Sequence, residues 1–319
     1  LALSNPVTTG TGFVFSITGS PIQLTGTITG SGIVRASGTG TIDLTQQTAA
    51  TMQNTGSIDM GNGATVWTSG TGNFGSNASI LFSGTSATLL AKGTTGSIVQ
   101  NIKIGATNNV ANVNANIDTG IYDVTLAGVL SDLNSGTTGG LAKYGTGTLT
   151  LTGSSTFTQA TTVSAGTLLV DGALYSGAAV APTTISAGGA VGGSGVINGP
   201  VSFASGGNFS FSPLTTLTTN GTAVTFGGFG VANVLGIGST TPDGTYTLMN
   251  GTASFDFTNV LNVGASNAVS IGGGKTAYLQ QGGGFQLVVV PEPASLASVA
   301  LGAVALTALR RRWRSSKAR

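Results

Sequence analysis

The sequence predicts an all-β chain wound as a parallel β-helix, with a short C-terminal transmembrane helix attached. Three observations lead there. Glycine takes 53 of 319 positions and recurs every few residues, so long helices in the body would be costly. Between the glycines run short segments in which Thr or Ser alternates with an aliphatic residue, the two-residue period of a strand with one buried face. The same segment types return along the chain, the signature of stacked coils. Such strands cannot close a core singly. Stacked coil on coil, they form a continuous aliphatic interior and pair with neighbours above and below.

Composition narrows the function classes. Thr contributes 50 residues and Ser 32, while charged residues make up 6% of the chain; an ordinary soluble domain has about a quarter. Collagen would need strictly periodic Gly with abundant Pro, and a polar disordered chain would not carry 40% hydrophobic residues. Cys and His are both absent, which removes disulfide scaffolds, Cys/His zinc sites and histidine-based catalysis. The charge is uneven. Residues 1–290 hold Arg35, Lys92, Lys103, Lys143 and Lys275 against eight Asp, a net of −3, whereas residues 291–319 carry a net of +5. The pI of about 9.1 therefore gives no indication that the body binds nucleic acid.

In chain order, Ile22-Gln23-Leu24-Thr25-Gly26 opens the first legible repeat. Gly32-Ile33-Val34-Arg35 follows, and Gly38-Thr39-Gly40-Thr41-Ile42-Asp43-Leu44-Thr45 completes it. A second copy reads Val124-Thr125-Leu126-Ala127-Gly128, then Gly140-Leu141-Ala142-Lys143, then Gly145 to Thr152. Gly193-Ser194-Gly195-Val196-Ile197 is a looser third echo. In the clearest strand Leu149 and Leu151 share one face, and Thr148, Thr150 and Thr152 the other. With coils of about twenty to twenty-five residues stacked about 4.8 Å apart, the body makes roughly a dozen coils and a rod of roughly 60 Å. A membrane barrel competes less well, since it needs regular strands of about ten residues and aromatic girdles.

Residues 1–220 are expected to form the repeat region and 221–287 a C-terminal set of β coils that caps it. Asp243-Gly244 reads as a turn into a strand, and Gly272 to Leu279 with Gly284 to Val290 reads as a closing hairpin. Phe226, Phe229, Phe255, Phe257, Tyr278 and Phe285 concentrate in this end. Covering the last coil is the preferred reading for them, with a carbohydrate-stacking face as the alternative.

The tail is the sharpest signal. Residues 288–319 begin Val288-Val289-Val290 and continue through Pro291-Glu292-Pro293 into an uncharged stretch, 294–309. The basic end, 310–319, contains Arg310, Arg311, Arg312 and Arg314. As a helix, sixteen residues reach about 24 Å, short of a hydrocarbon core of about 30 Å, but long Arg side chains can snorkel across the difference. The Arg cluster is expected to stay cytoplasmic, which leaves the body outside.

This order of Pro-Glu-Pro, short apolar helix and Arg cluster resembles the PEP-CTERM sorting signal of bacterial surface proteins. The resemblance implies export, transient anchoring in the inner membrane, and processing near Pro291-Glu292-Pro293 by an exosortase-type enzyme, with Arg310, Arg311, Arg312 and Arg314 as the stop-transfer cluster. Gly139 to Gly172, with Leu141-Ala142-Lys143, the Gly145 to Gly153 run and Thr161 to Val170, resembles the autotransporter-associated β-strand repeat. Gln159-Ala160 stands where that family usually has Gly. The resemblance implies a right-handed β-helix of passenger type, here without room for the C-terminal barrel of autotransporters. Leu1-Ala2-Leu3-Ser4 shows neither an initiator Met nor a basic leader, so a signal peptide and further coils are expected to precede it.

No catalytic or metal-binding residues, and no cofactor, are expected. The body has eight spread Asp and no Glu; Asp118 and Asp123 are the closest pair, flanking Ile121-Tyr122, which reads as a strand start. Each Asp reads first as a turn former. Gly192-Gly193-Ser194-Gly195 lacks the Lys and the helix of a phosphate loop. The cluster Asn108, Asn109, Asn112, Asn114 and Asn116 reads as one polar loop. These readings predict a non-enzymatic structural or adhesive solenoid of the cell surface or extracellular matrix, whose partners are the processing enzyme, the membrane and extracellular polysaccharide, not nucleic acid. Two alternatives stay open: a carbohydrate-active β-helix enzyme, which calls for three Asp gathered in a groove, and an ice-binding protein, which calls for a flat, aligned Thr face.

Overall fold

The computed structural model describes residues 1–292 apart from 12–13, 20, 71, 76, 78, 94–95, 106–112 and 178–179. The expected transmembrane stretch 294–309, Pro293 and the basic residues after it lie outside the described residues, as do Asn108, Asn109 and Asn112. Among the described residues no helix is long and apolar enough to cross a membrane, and the helical structure is two three-residue turns, Val231–Asn233 and Ala265–Asn267.

The chain is a parallel β-solenoid. One sheet of twelve parallel strands runs from Ala2–Leu3 to Ser254–Phe255. A second face is built by the pair Val7–Thr9 and Ile28–Gly30, then by a seven-stranded sheet from Ser97–Ile98 to Val234–Leu235. A third is a six-stranded sheet from Val14–Ile17 to Leu130–Asp132, then a seven-stranded one that starts at Ala173–Leu174. The Thr156 N–H donates to Leu130 O and Ser154 bridges to Ala173, which joins those two sheets into one face. Coil length varies. Thr184 pairs with Ser202, 18 residues on, and Val224 with Phe255, 31 residues on.

The interior is made of aligned columns. On the first face Ile42, Val66, Leu89 and Ile117 stand in register, as do Val163, Ile185 and Phe203, and none is more than 1% exposed. Each such side chain contributes about 1.5–3 kcal/mol of burial. Leu149 and Leu151 point inward and Thr148 and Thr150 outward, as their alternation requires. Coils sit so close at some turns that only Gly fits. A Cβ on Gly147 would lie 1.9 Å from Tyr122 O in the coil below.

Three sequence expectations are corrected. Asn114 and Asn116 do not lie in a polar loop but in the strand Val113–Asp118. Ile121-Tyr122 does not start a strand. The strand Val113–Asp118 ends before it and Val124–Leu126 starts after it, because Gly120 turns at φ +56° and the Asp118 carboxylate accepts its N–H at 2.8 Å. The two repeat copies also occupy different faces. Thr41–Asp43 belongs to the twelve-stranded sheet, whereas its counterpart Thr148–Leu151 lies in the second face. Ile33–Ala36 lies on the third face, and its counterpart within Gly139–Tyr144 on the first. All three faces ask for the same thing, aliphatic in, hydroxyl out and Gly at the turn, so the pattern is face-neutral.

At the C-terminal end the pairing changes direction. Strand Gly244–Asn250 continues the parallel stack through Leu217↔Met249, then pairs antiparallel with Phe285–Pro291. Phe285–Pro291 pairs antiparallel with Lys275–Gln281 on its other side. Phe285, fully buried, packs its ring 4.7 Å from Phe226, 5.6 Å from Phe229 and 5.5 Å from Phe257. Phe226, Phe229 and Phe285 therefore plug the end of the interior and are closed to a stacking ligand.

Candidate functional site

The junction between rod and tail is built from the closing hairpin. Pro291 is the last residue of its strand and pairs with Lys275; a strand end tolerates the missing N–H. The Glu292 N–H donates to Gly274 O at 2.8 Å, and the Ser270 hydroxyl donates to Glu292 Oε1 at 2.7 Å. Thus Pro291 and Glu292 are tied to the cap, while Pro293, Arg310, Arg311, Arg312 and Arg314 lie outside the described residues.

The carboxylates hold turns and neighbouring coils. Asp118 accepts from Gly120 N, and Asp123 from Thr148 N at 3.0 Å. Asp132 accepts from Gly139 N at 2.7 Å and from the Thr158 hydroxyl at 2.7 Å. Asp171 holds Ser194, so the Gly192 to Gly195 run is a coil-to-coil turn. Asp59, 1% exposed, pairs with Arg35 of the preceding coil at 2.5 Å and accepts from Ser83. Among the described residues no three carboxylates gather into a group that could hold a metal.

Sequence reasoning missed Lys143. It stands between Ile117 and Val163 in the first-face interior column, fully buried. Its ammonium donates to Tyr144 O and Gly145 O, both at 2.8 Å, and to Ala165 O at 3.1 Å. Burial lowers its pKa to about 8, against the opposing pull of Asp118 and Asp123. The available signal was its parity with Leu141. Arg35 across from Asp59 was equally hidden, because the coil lengths that bring them together vary.

The hydroxyl face is half regular. Outward on the first sheet, Thr41, Thr65 and Thr88 form one aligned column, and beyond Asn116 and Ala142 it continues as Thr162, Thr184, Ser202 and Thr225. The parallel column two residues on holds Asp43, Trp67, Leu90, Asp118 and Tyr144. Bulk and charge therefore interrupt any flat two-column array over these coils.

Comparison with known families bears on both ends of this description. The passenger-associated-transport-repeat model matches residues 141–170, which hold the buried lysine and the Leu149/Leu151 strand. The PEP-CTERM protein-sorting motif matches residues 289–312. The chain carries a sorting tail. That motif implies export and sorting to the cell envelope, and it begins inside the closing strand of the solenoid. No curated protein and no solved structure matches the chain.

Proposed function

We propose that this chain is a non-enzymatic, exported surface or matrix solenoid with a structural or adhesive role. It is held in the inner membrane by a helix over 294–309 and processed near Pro291-Glu292-Pro293 by an exosortase-type enzyme. The observation that carries the reading is the direct continuity of a sorting motif at 289–312 with the strand that closes a β-solenoid. The rod then presents a rigid, hydroxyl-covered surface to extracellular polysaccharide. The carboxylates Asp118, Asp123, Asp132 and Asp171 each hold a backbone N–H of a turn or neighbouring coil, and no three gather into one group among the described residues, which supports a scaffold over a β-helix hydrolase. The interrupted second column supports it over ice binding. Intact mass of the protein secreted by its native host tests the processing: loss of residues 294–319 is expected, and a secreted form that keeps them overturns it.

A further inference from the structure

Trp67 is an anomaly on the hydroxyl face. It lies on strand Thr65–Thr68 and points outward in the column Gln23, Asp43, Trp67, Leu90. No core position requires so large a ring there, and the half-buried indole leaves apolar area that water does not favour. Around it a groove of about 390 Å³ is lined by Asp43, Thr45, Gln46, Trp67, Ser69 and Lys92.

The groove has complementary chemistry. Lys92, exposed, holds its ammonium 4.6 Å from the centre of the Trp67 ring. The ion pairs among the described residues are Arg35–Asp59 and Lys275–Asp243, so among those residues Lys92 forms no ion pair with a carboxylate. Asp43, 8% exposed, is fixed by Gln23 Nε2 at 3.0 Å and by the Thr45 N–H and hydroxyl. Gln46, exposed, adds an amide with both donor and acceptor. An aromatic ring, a cation that forms no ion pair among the described residues, a fixed carboxylate and a short hydroxyl, set on two strands of one sheet and on the segments that follow its strands, are what a sugar ring bearing a carboxylate needs: C–H surface against the part of the indole that Lys92 leaves open, its own carboxylate at Lys92, its hydroxyls at Asp43, Thr45 and Gln46.

We propose that this groove is a subsite for an acidic, uronate-bearing polysaccharide. The proposal rests on the surface-adhesive reading and gives it a location and a ligand class. The test uses the full chain and polygalacturonate as probe, with dextran as the neutral comparison. Affinity electrophoresis should retard the wild type in polygalacturonate and not in dextran. W67A and K92Q should each weaken binding roughly tenfold, the scale of one lost charge-assisted contact, with unchanged circular dichroism. In a W313F chain, where Trp67 is the remaining tryptophan, saturable quenching should appear and fade with added salt. Retardation equal in W67A and wild type, or equal in both polysaccharides, overturns the proposal. Intact mass of the secreted protein separates the two readings. Normal processing without binding removes the subsite and leaves the sorting; binding with the tail retained does the reverse.

Discussion

Lys143 makes the solenoid's stability respond to alkaline pH with a predictable sign. The lysine has a folded pKa of about 8 against the ordinary value of 10.5. Below pH 8 it is charged in both states, and the burial cost is present in full. As pH rises through 8 the folded protein loses the proton first while the unfolded chain keeps it, so stability rises. The lysine is half titrated at pH 8, so the slope approaches about 1.36 kcal/mol per pH unit only above it, and the gain between pH 8 and 9.5 is about 1.6 kcal/mol. Urea unfolding followed by circular dichroism at pH 7, 8, 9 and 9.5 measures it. At a slope of about 3 kcal/mol per molar, the midpoint should climb by about 0.5 M over that window. K143M should show no such climb. The window stops short of pH 10 because Tyr175, whose pKa is raised by burial, acts oppositely there: the unfolded phenol ionises first and stability falls. D123N removes one of the carboxylates that favour the charged lysine, so its climb should begin at lower pH. A wild-type midpoint that is flat or falls between pH 8 and 9.5, or an equal climb in K143M, refutes the reasoning.

Three further outcomes are expected. F285A should cost about 3–5 kcal/mol, the range for a fully buried aromatic, and should lower the thermal midpoint. G147A should destabilise the rod measurably by differential scanning calorimetry, because its Cβ would sit 1.9 Å from Tyr122 O; a neutral result would mean that the two coils can separate freely. R35A leaves Asp59, 1% exposed, without its cation and should cost about 3 kcal/mol in urea, since an unpaired buried charge is the costly outcome. The double variant R35A/D59N should recover part of that loss.

The strands were legible in the sequence because a two-residue period needs only local information. Leu149 and Leu151 against Thr148 and Thr150 state their facing outright, and Phe285-Gln286-Leu287 after a Gly run announces the closing hairpin. What joins one coil to the next was not legible. Coil lengths between 18 and 32 residues decide which residues stack, so the Arg35–Asp59 pair and the Trp67–Lys92 groove show only in the folded chain. Face assignment was lost for a different reason: Thr41–Asp43 and Thr148–Leu151 read alike because each face imposes the same alternation. Lys143 was hidden by its own type, since its position matched Leu141 but its charge suggested the surface. The tail motif was read directly, because Pro-Glu-Pro, the uncharged stretch and the Arg cluster follow one another in a single run of the chain.

The strand that closes the rod is also the strand that leads into the sorting motif, with Glu292 as the last described residue. Lying between Gly244–Asn250 and Lys275–Gln281, it is clamped on both edges. A tension applied through the tail would therefore act along this strand and load its hydrogen bonds side by side, in shear, instead of opening them one after another as in a peeled edge. The end of the rod that leads into the sorting motif is thus held by bonds loaded together, and a chain pulled through it should yield first elsewhere, among the short coils, before the clamp gives way.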